Sequence, residues 1–179
     1  MDLNPADDEN GKGKSINRAQ MELLATKTSQ VNDCAYWATS HGMLLSQVAS
    51  GDMAVALAGG EDGSPSGKDK DEAEDQAEKG SIPMVHLLAR FPGLVLNGLN
   101  SGGSGDASVA AMRAEIQRDM GAAALLDVSC VIGMFNGINR VADMCGIKLD
   151  SLAAPFAEAI LGELKMDAAS NWTTWTSKL

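Results

Sequence analysis

Glu22, Cys34 and His41 are of the residue types that move protons and attack electrophiles, and they fall close together near the N-terminus. Glu22 lies twelve residues before Cys34, and His41 lies seven after it. Seven residues are about two helical turns, so a thiol and an imidazole at that spacing share roughly one face of a helix. If Asp33 caps a helix beginning at Cys34, the thiol sits in the first turn, where free N–H groups and the dipole favour an anion. A carboxylate, a thiol and an imidazole are then offered to one pocket, with Tyr36 and Trp37 between them as the candidates to face a substrate.

Two helices must position these groups. Ser15 or Asn17 can cap the first, with Gln20 three residues after Asn17 completing a possible capping box, and Met21, Leu24, Ala25 and Thr28 follow at helical spacing. Glu22 falls beside that stripe; such an acid is ordinarily solvated, but from this position it can point inward. Val31-Asn32-Asp33 breaks the run, and a second helix is predicted from Cys34 to Val48, ended by Ser50-Gly51.

The pattern Glu22, eleven residues, Cys34, two residues, Trp37, three residues, His41 resembles the signature of the carboxymuconolactone decarboxylase and alkylhydroperoxidase D (AhpD-like) superfamily, a Glu followed by Cys-x-x-Cys-x-x-x-His. A second stretch resembles the C-terminal helix of the family's peroxidase-related branch. It comprises Phe135-Asn136, Asn139-Arg140-Val141-Ala142-Asp143 and Gly146-Ile147-Lys148-Leu149. The resemblance covers about 15–58 and 106–150. It implies an all-α, AhpD-like bundle of about six helices, assembled as a homo-oligomer, trimer or hexamer. It implies a catalytic set of Glu22, Cys34 and His41 acting on a hydroperoxide or a small organic substrate. In the peroxidase members the second cysteine meets the peroxide and the first resolves the sulfenic acid; here Trp37 occupies the second position, so a dithiol cycle through this motif is impossible. Trp37 either fills the pocket or forms a wall for an organic ligand.

Composition supports the helical reading. Of 179 residues 45% are apolar but only 4% aromatic, which suits a helical core with close contacts through small residues. The net charge of −10 is uneven: residues 61–80 hold eight acids and three bases, and 1–14 hold four acids and two bases. With no basic stripe to displace counterions from phosphates, a nucleic-acid partner is not expected. Three widely spaced cysteines fit a reducing compartment better than a disulfide framework. The N-terminus lacks the basic start and apolar core of a signal peptide, and no apolar run approaches the ~20 residues that span a bilayer. The expectation is a cytoplasmic protein with no membrane partner. Two distant histidines and scattered acids give no metal-ligand spacing, and no cofactor is implied.

Along the rest of the chain, residues 1–14 read as a flexible tail and 15–179 as one domain carrying an acidic flexible insertion at about 59–82. Ser81 and Pro83 are predicted to start a helix bearing His86, a surface or packing residue, and Pro92-Gly93 to kink or end it. The glycine-rich Asn100 to Gly105 has no P-loop lysine and reads as a connector. Asp106 can cap a helix pausing near Gly121. The longest helix, Ala122 to Cys145, carries a stripe wide enough for the central core helix, with Cys130 and Cys145 as packing residues, and Gly146 is its natural stop. Arg140 and Asp143 form an i, i+3 pair. A last helix from Asp150 or Ser151 to Leu164 precedes a tail with Trp172 and Trp175.

Three functions stay open on these residues. Cys34 can reduce a hydroperoxide with an outside thiol as reductant. His41 and Glu22, with Tyr36, can run decarboxylation, dehydration or isomerisation without redox chemistry. A catalytically degenerate member can serve as a structural or binding subunit.

Overall fold

A computed structural model describes residues 15–49, 84–100, 107–149 and 154–166. The 1–14 tail, the 59–82 insertion, Ser81 and Pro83, Asp106, the expected helix start at Asp150 or Ser151 and the Trp172/Trp175 tail lie outside them. The described residues form an all-α bundle of six helices: α1 Arg18–Val31, α2 Ala35–Val48, α3 Val85–Asn100, α4 Ala107–Met120, α5 Ala122–Cys145 and α6 Ala154–Glu163.

The capping box forms as the sequence predicts. Asn17 Oδ1 accepts from the Gln20 backbone N–H at 2.9 Å, and the Asn17 N–H donates to Gln20 Oε1 at 2.9 Å. These bonds satisfy donors that a helix start leaves without intrahelical partners. The Ile16 N–H, just before it, donates to Asp127 Oδ2 of α5 at 3.1 Å, which ties the entry of α1 to the longest helix.

It is α1, and not α5, that lies at the centre. Every residue from Glu22 to Ser29 is buried, and α1 packs against α2, α3 and α5. The run includes Thr26, Thr28 and Ser29, and the Thr26 and Ser29 hydroxyls return to the carbonyls of Glu22 and Ala25 at 2.8 Å. Back-bonding of this kind lets a helix bury hydroxyls without exposing them to water. By contrast α5 buries one face, through Val128, Val131, Ile132, Phe135, Asn139 and Ala142, and leaves Val141 exposed. Cys130 and Cys145 are exposed too, so neither is a packing residue. Burial on one face only follows from α5 lying at the edge of the bundle.

Two further expectations change. Of the two outcomes expected at Pro92-Gly93, a kink or an end, the end is overturned: α3 continues to Asn100 with buried Leu87, Leu88 and Phe91 before the proline and Leu96 after it. Packing on both sides holds the helix through the lost backbone donor. And α5, unbroken over 24 residues, is long and apolar enough by length and composition to cross a membrane, where no such run is expected from the sequence. Its end is as anticipated: Gly146 adopts φ 61°, and the Ile147 N–H closes on Ala142 O at 3.0 Å.

α6 packs on α2 through a close approach at Gly42, where an added Cβ would stand 2.6 Å from Ile160 Cγ2. Ile160 is buried and β-branched, so it cannot swing away cheaply. Gly42→Ala is expected to destabilise the fold by about 1–3 kcal/mol in thermal or urea unfolding, the usual cost of overpacking. Combined with Ile160→Ala, it should cost less than the two single losses added together.

Candidate functional site

α1 and α2 run from a shared turn. Asn32 caps the end of α1, Asp33 takes φ 55°, and the Cys34 N–H reaches back to Ser29 O at 2.9 Å. Asp33 therefore forms the left-handed turn residue and does not cap α2; Cys34 is itself the N-cap residue, and its side chain makes no capping bond. The turn folds α2 back along α1, which brings His41 beside Glu22.

Glu22 is fully buried, and both of its oxygens are engaged. Oε2 lies 2.5 Å from His41 Nδ1, and Oε1 accepts from Arg18 Nε one turn earlier on α1. A buried carboxylate needs such partners, since an unpaired charge in the interior is costly. His41 is nearly buried, its side chain 14% exposed. Its ring is set edge-to-face against Phe135 of α5, with centroids 4.5 Å apart, and lies 5.5 Å from the Trp37 ring. Trp37 also meets Phe135 edge-to-face at 5.9 Å and Tyr36 at 5.0 Å. The Trp37 Nε1–H is buried without a hydrogen-bond partner among the described residues.

Cys34 sits on the same side of α5, one turn along. Its Sγ is 3.8 Å from the backbone oxygen of Asn139, and Phe135 and Asn139 are successive buried positions of that helix. The Asn139 side chain takes the Ser29 hydroxyl on Oδ1 at 3.1 Å, while its Nδ2 has no partner among the described residues. Arg140 donates to Asn32 Oδ1 at 3.1 Å and pairs loosely with Asp143 at 3.9 Å. The acid and the imidazole are thus in direct contact, while the thiol makes its own contact with α5.

Burial pushes the Cys34 thiol up from the ordinary 9.0 to about 12, with Asp143 adding to the rise. The N–H groups of Trp37 and Tyr36 pull the other way, which is the helix-start effect expected from the sequence, and they are outweighed. Cys34 is consequently a protonated thiol at neutral pH, and the expected thiolate is corrected. Among the described residues no catalytic pocket is evident beside these side chains, and no group of three His, Cys, Asp or Glu is placed to hold a metal ion.

No family model, curated protein or solved structure matches this chain. The site therefore has to be read from its own contacts. Arg18, Phe135, Asn139 and Asp143, all outside the candidate set, act on it. Arg18 could have been found, since it stands four residues before Glu22 on a capped helix. Phe135 and Asn139 carried no signal beyond their place on an apolar stripe and in the second motif stretch.

The three thiols should separate by reactivity. A disulfide reagent at neutral pH is expected to modify Cys130 and Cys145 in dilute, unassociated native protein and Cys34 only after unfolding; fast labelling of Cys34 would contradict its burial. The raised Cys34 value also has a sign. The unfolded chain loses this proton near pH 9 and the folded chain only near 12, so the stabilisation is complete below about 9 and falls as pH rises toward 12. Cys34→Ala should flatten that part of the alkaline stability curve.

Proposed function

We propose that the chain is an AhpD-like protein of the carboxymuconolactone decarboxylase type that carries out non-redox acid–base chemistry on a small organic substrate. The observation that carries this reading is the buried Glu22 carboxylate bonded to His41 Nδ1. A carboxylate on Nδ1 selects the tautomer in which Nε2 holds the lone pair, and it stabilises the imidazolium once a proton is taken. Arg18 on the other oxygen keeps the carboxylate from turning away.

In an isomerisation, Nε2 removes a proton from carbon next to a carbonyl and returns it to another carbon, so no co-reactant is consumed. In a decarboxylation, the carbon–carboxylate bond breaks, CO2 leaves, and the electron pair left on carbon takes the proton from protonated Nε2. Trp37 and Phe135, packed on the imidazole, supply an apolar wall that favours an organic ligand over water. The family resemblance gains support from contact between its two stretches: Phe135 meets His41, Asn139 meets Cys34 and Arg140 meets Asn32. Thiol-dependent peroxide reduction is the weaker reading, because Cys34 is buried and protonated and the remaining cysteines are free and exposed elsewhere on α5.

Solvent-deuterium incorporation into a panel of small lactones and keto acids, followed by NMR, tests the proposal. Wild type and Cys34→Ser are expected to exchange protons at the carbon beside the carbonyl. His41→Ala should lose about 100-fold or more in rate, the usual weight of a positioned acid–base group. Loss of activity on Cys34→Ser with retention in His41→Ala would transfer the chemistry to the thiol. No exchange with any panel member, together with an unchanged fold, would favour a binding or structural role.

A further inference from the structure

The face of α5 turned away from the bundle is unlike the surface of an ordinary edge helix. Leu126, Met134, Val141 and Met144 are 55%, 52%, 55% and 86% exposed. Exposed Cys130, Gly133 and Gly137 lie between them, and an added Cβ at either glycine would meet nothing within 4 Å. At 100° per residue these seven positions fall within about 100° of arc, directly opposite Val128, Phe135 and Asn139. The stripe runs from 126 to 144, about 27 Å of helix. Thus α5 has two apolar faces, and among the described residues only one of them is covered.

We propose that this outer face is the contact between two copies of the chain, with the two α5 helices crossing antiparallel about a two-fold axis near Gly133 and Met134. The stripe is self-complementary in that arrangement. Met134 falls against Gly133 of the second copy, Cys130 against Gly137, and Leu126 against Val141. Glycine thereby faces a side chain at the two central pairs and lets the helices approach closely, while Leu126 and Val141 pack on each other at the ends. The amount of surface fits as well. The four large side chains offer on the order of 500 Å² per copy, and the glycines, Cys130 and half-exposed Ile147 extend this toward the roughly 800 Å² per partner of a stable dimer. An apolar patch of this size is among the largest that a typical monomer exposes, and such patches are often functional. Like charges do not oppose the contact, since none of the seven stripe positions is charged. The inference is independent of the acid–base reading, because none of its residues touches Glu22 or His41.

Sedimentation velocity on the full chain tests it, with Met134→Glu and Val141→Glu as variants whose exposed positions leave the core untouched. Wild type is expected to associate at about 100 μM, and each variant to weaken association at least tenfold with unchanged helical circular dichroism. A wild-type monomer at that concentration would overturn the proposal, and so would variants that associate as wild type does. Because α5 is also long and apolar enough to span a bilayer, flotation with phosphatidylcholine vesicles forms the second arm. Flotation of wild type that Met134→Glu abolishes would assign the face to lipid and overturn the dimer; wild type left unbound to vesicles while associating with itself supports it.

Discussion

A carboxylate with no access to water sets the terms for this bundle. Glu22 is buried on the helix that the other elements surround, and its two oxygens are occupied from two directions, by Arg18 along α1 and by His41 across from α2. Neither helix can rotate or slide far without leaving a charge unpaired, which costs more than most single contacts in a domain contribute. The short turn through Asn32 and Asp33 exists in the geometry that lets α2 return along α1, and its left-handed residue is what allows so abrupt a reversal. The aromatic residues then seal the pair: with Phe135 on one edge of the imidazole and Trp37 beside it, the Glu22–His41 contact lies in an apolar setting that strengthens it.

The same helix that closes the site on one side carries an apolar face on the other. Phe135 and Met134 are neighbours in sequence, about 100° apart around α5, and one is buried in the bundle while the other is exposed. Conditions that hold α5 still, such as a partner on its outer face, would also hold the position of Phe135 against His41 and of Asn139 against Cys34. Site and surface therefore share one rigid element, although no side chain belongs to both.

Cys34 shows two effects in competition. Its position at the head of α2 offers donors to a thiolate, and the N–H groups of Tyr36 and Trp37 do act in that direction. Burial against α5 removes the water that would solvate the charge, and a carboxylate from the same helix repels it; together they win. A helix start is a good place for a reactive cysteine only when the helix start remains partly open.

Local chemistry was legible in the residues themselves. The Asn17/Gln20 capping box, the break at Val31 to Asp33, the pause at Gly121 and the stop at Gly146 all depend on interactions within a few positions, and each stands where the sequence places it. The pairing of Glu22 with His41 was within reach because helical periodicity limits which faces can meet. What the linear pattern could not carry is which surfaces are covered. An apolar stripe reads the same whether it faces a core or solvent, so α5 looked central, Cys130 and Cys145 looked buried, and Pro92 looked like a kink or an end. Only the packing of six helices decided that α1 is enclosed, that α5 is enclosed on one face alone, and that a thiol beside a helix start keeps its proton. Burial and the local dielectric depend on neighbours distant in the chain, and those neighbours exist only once it has folded.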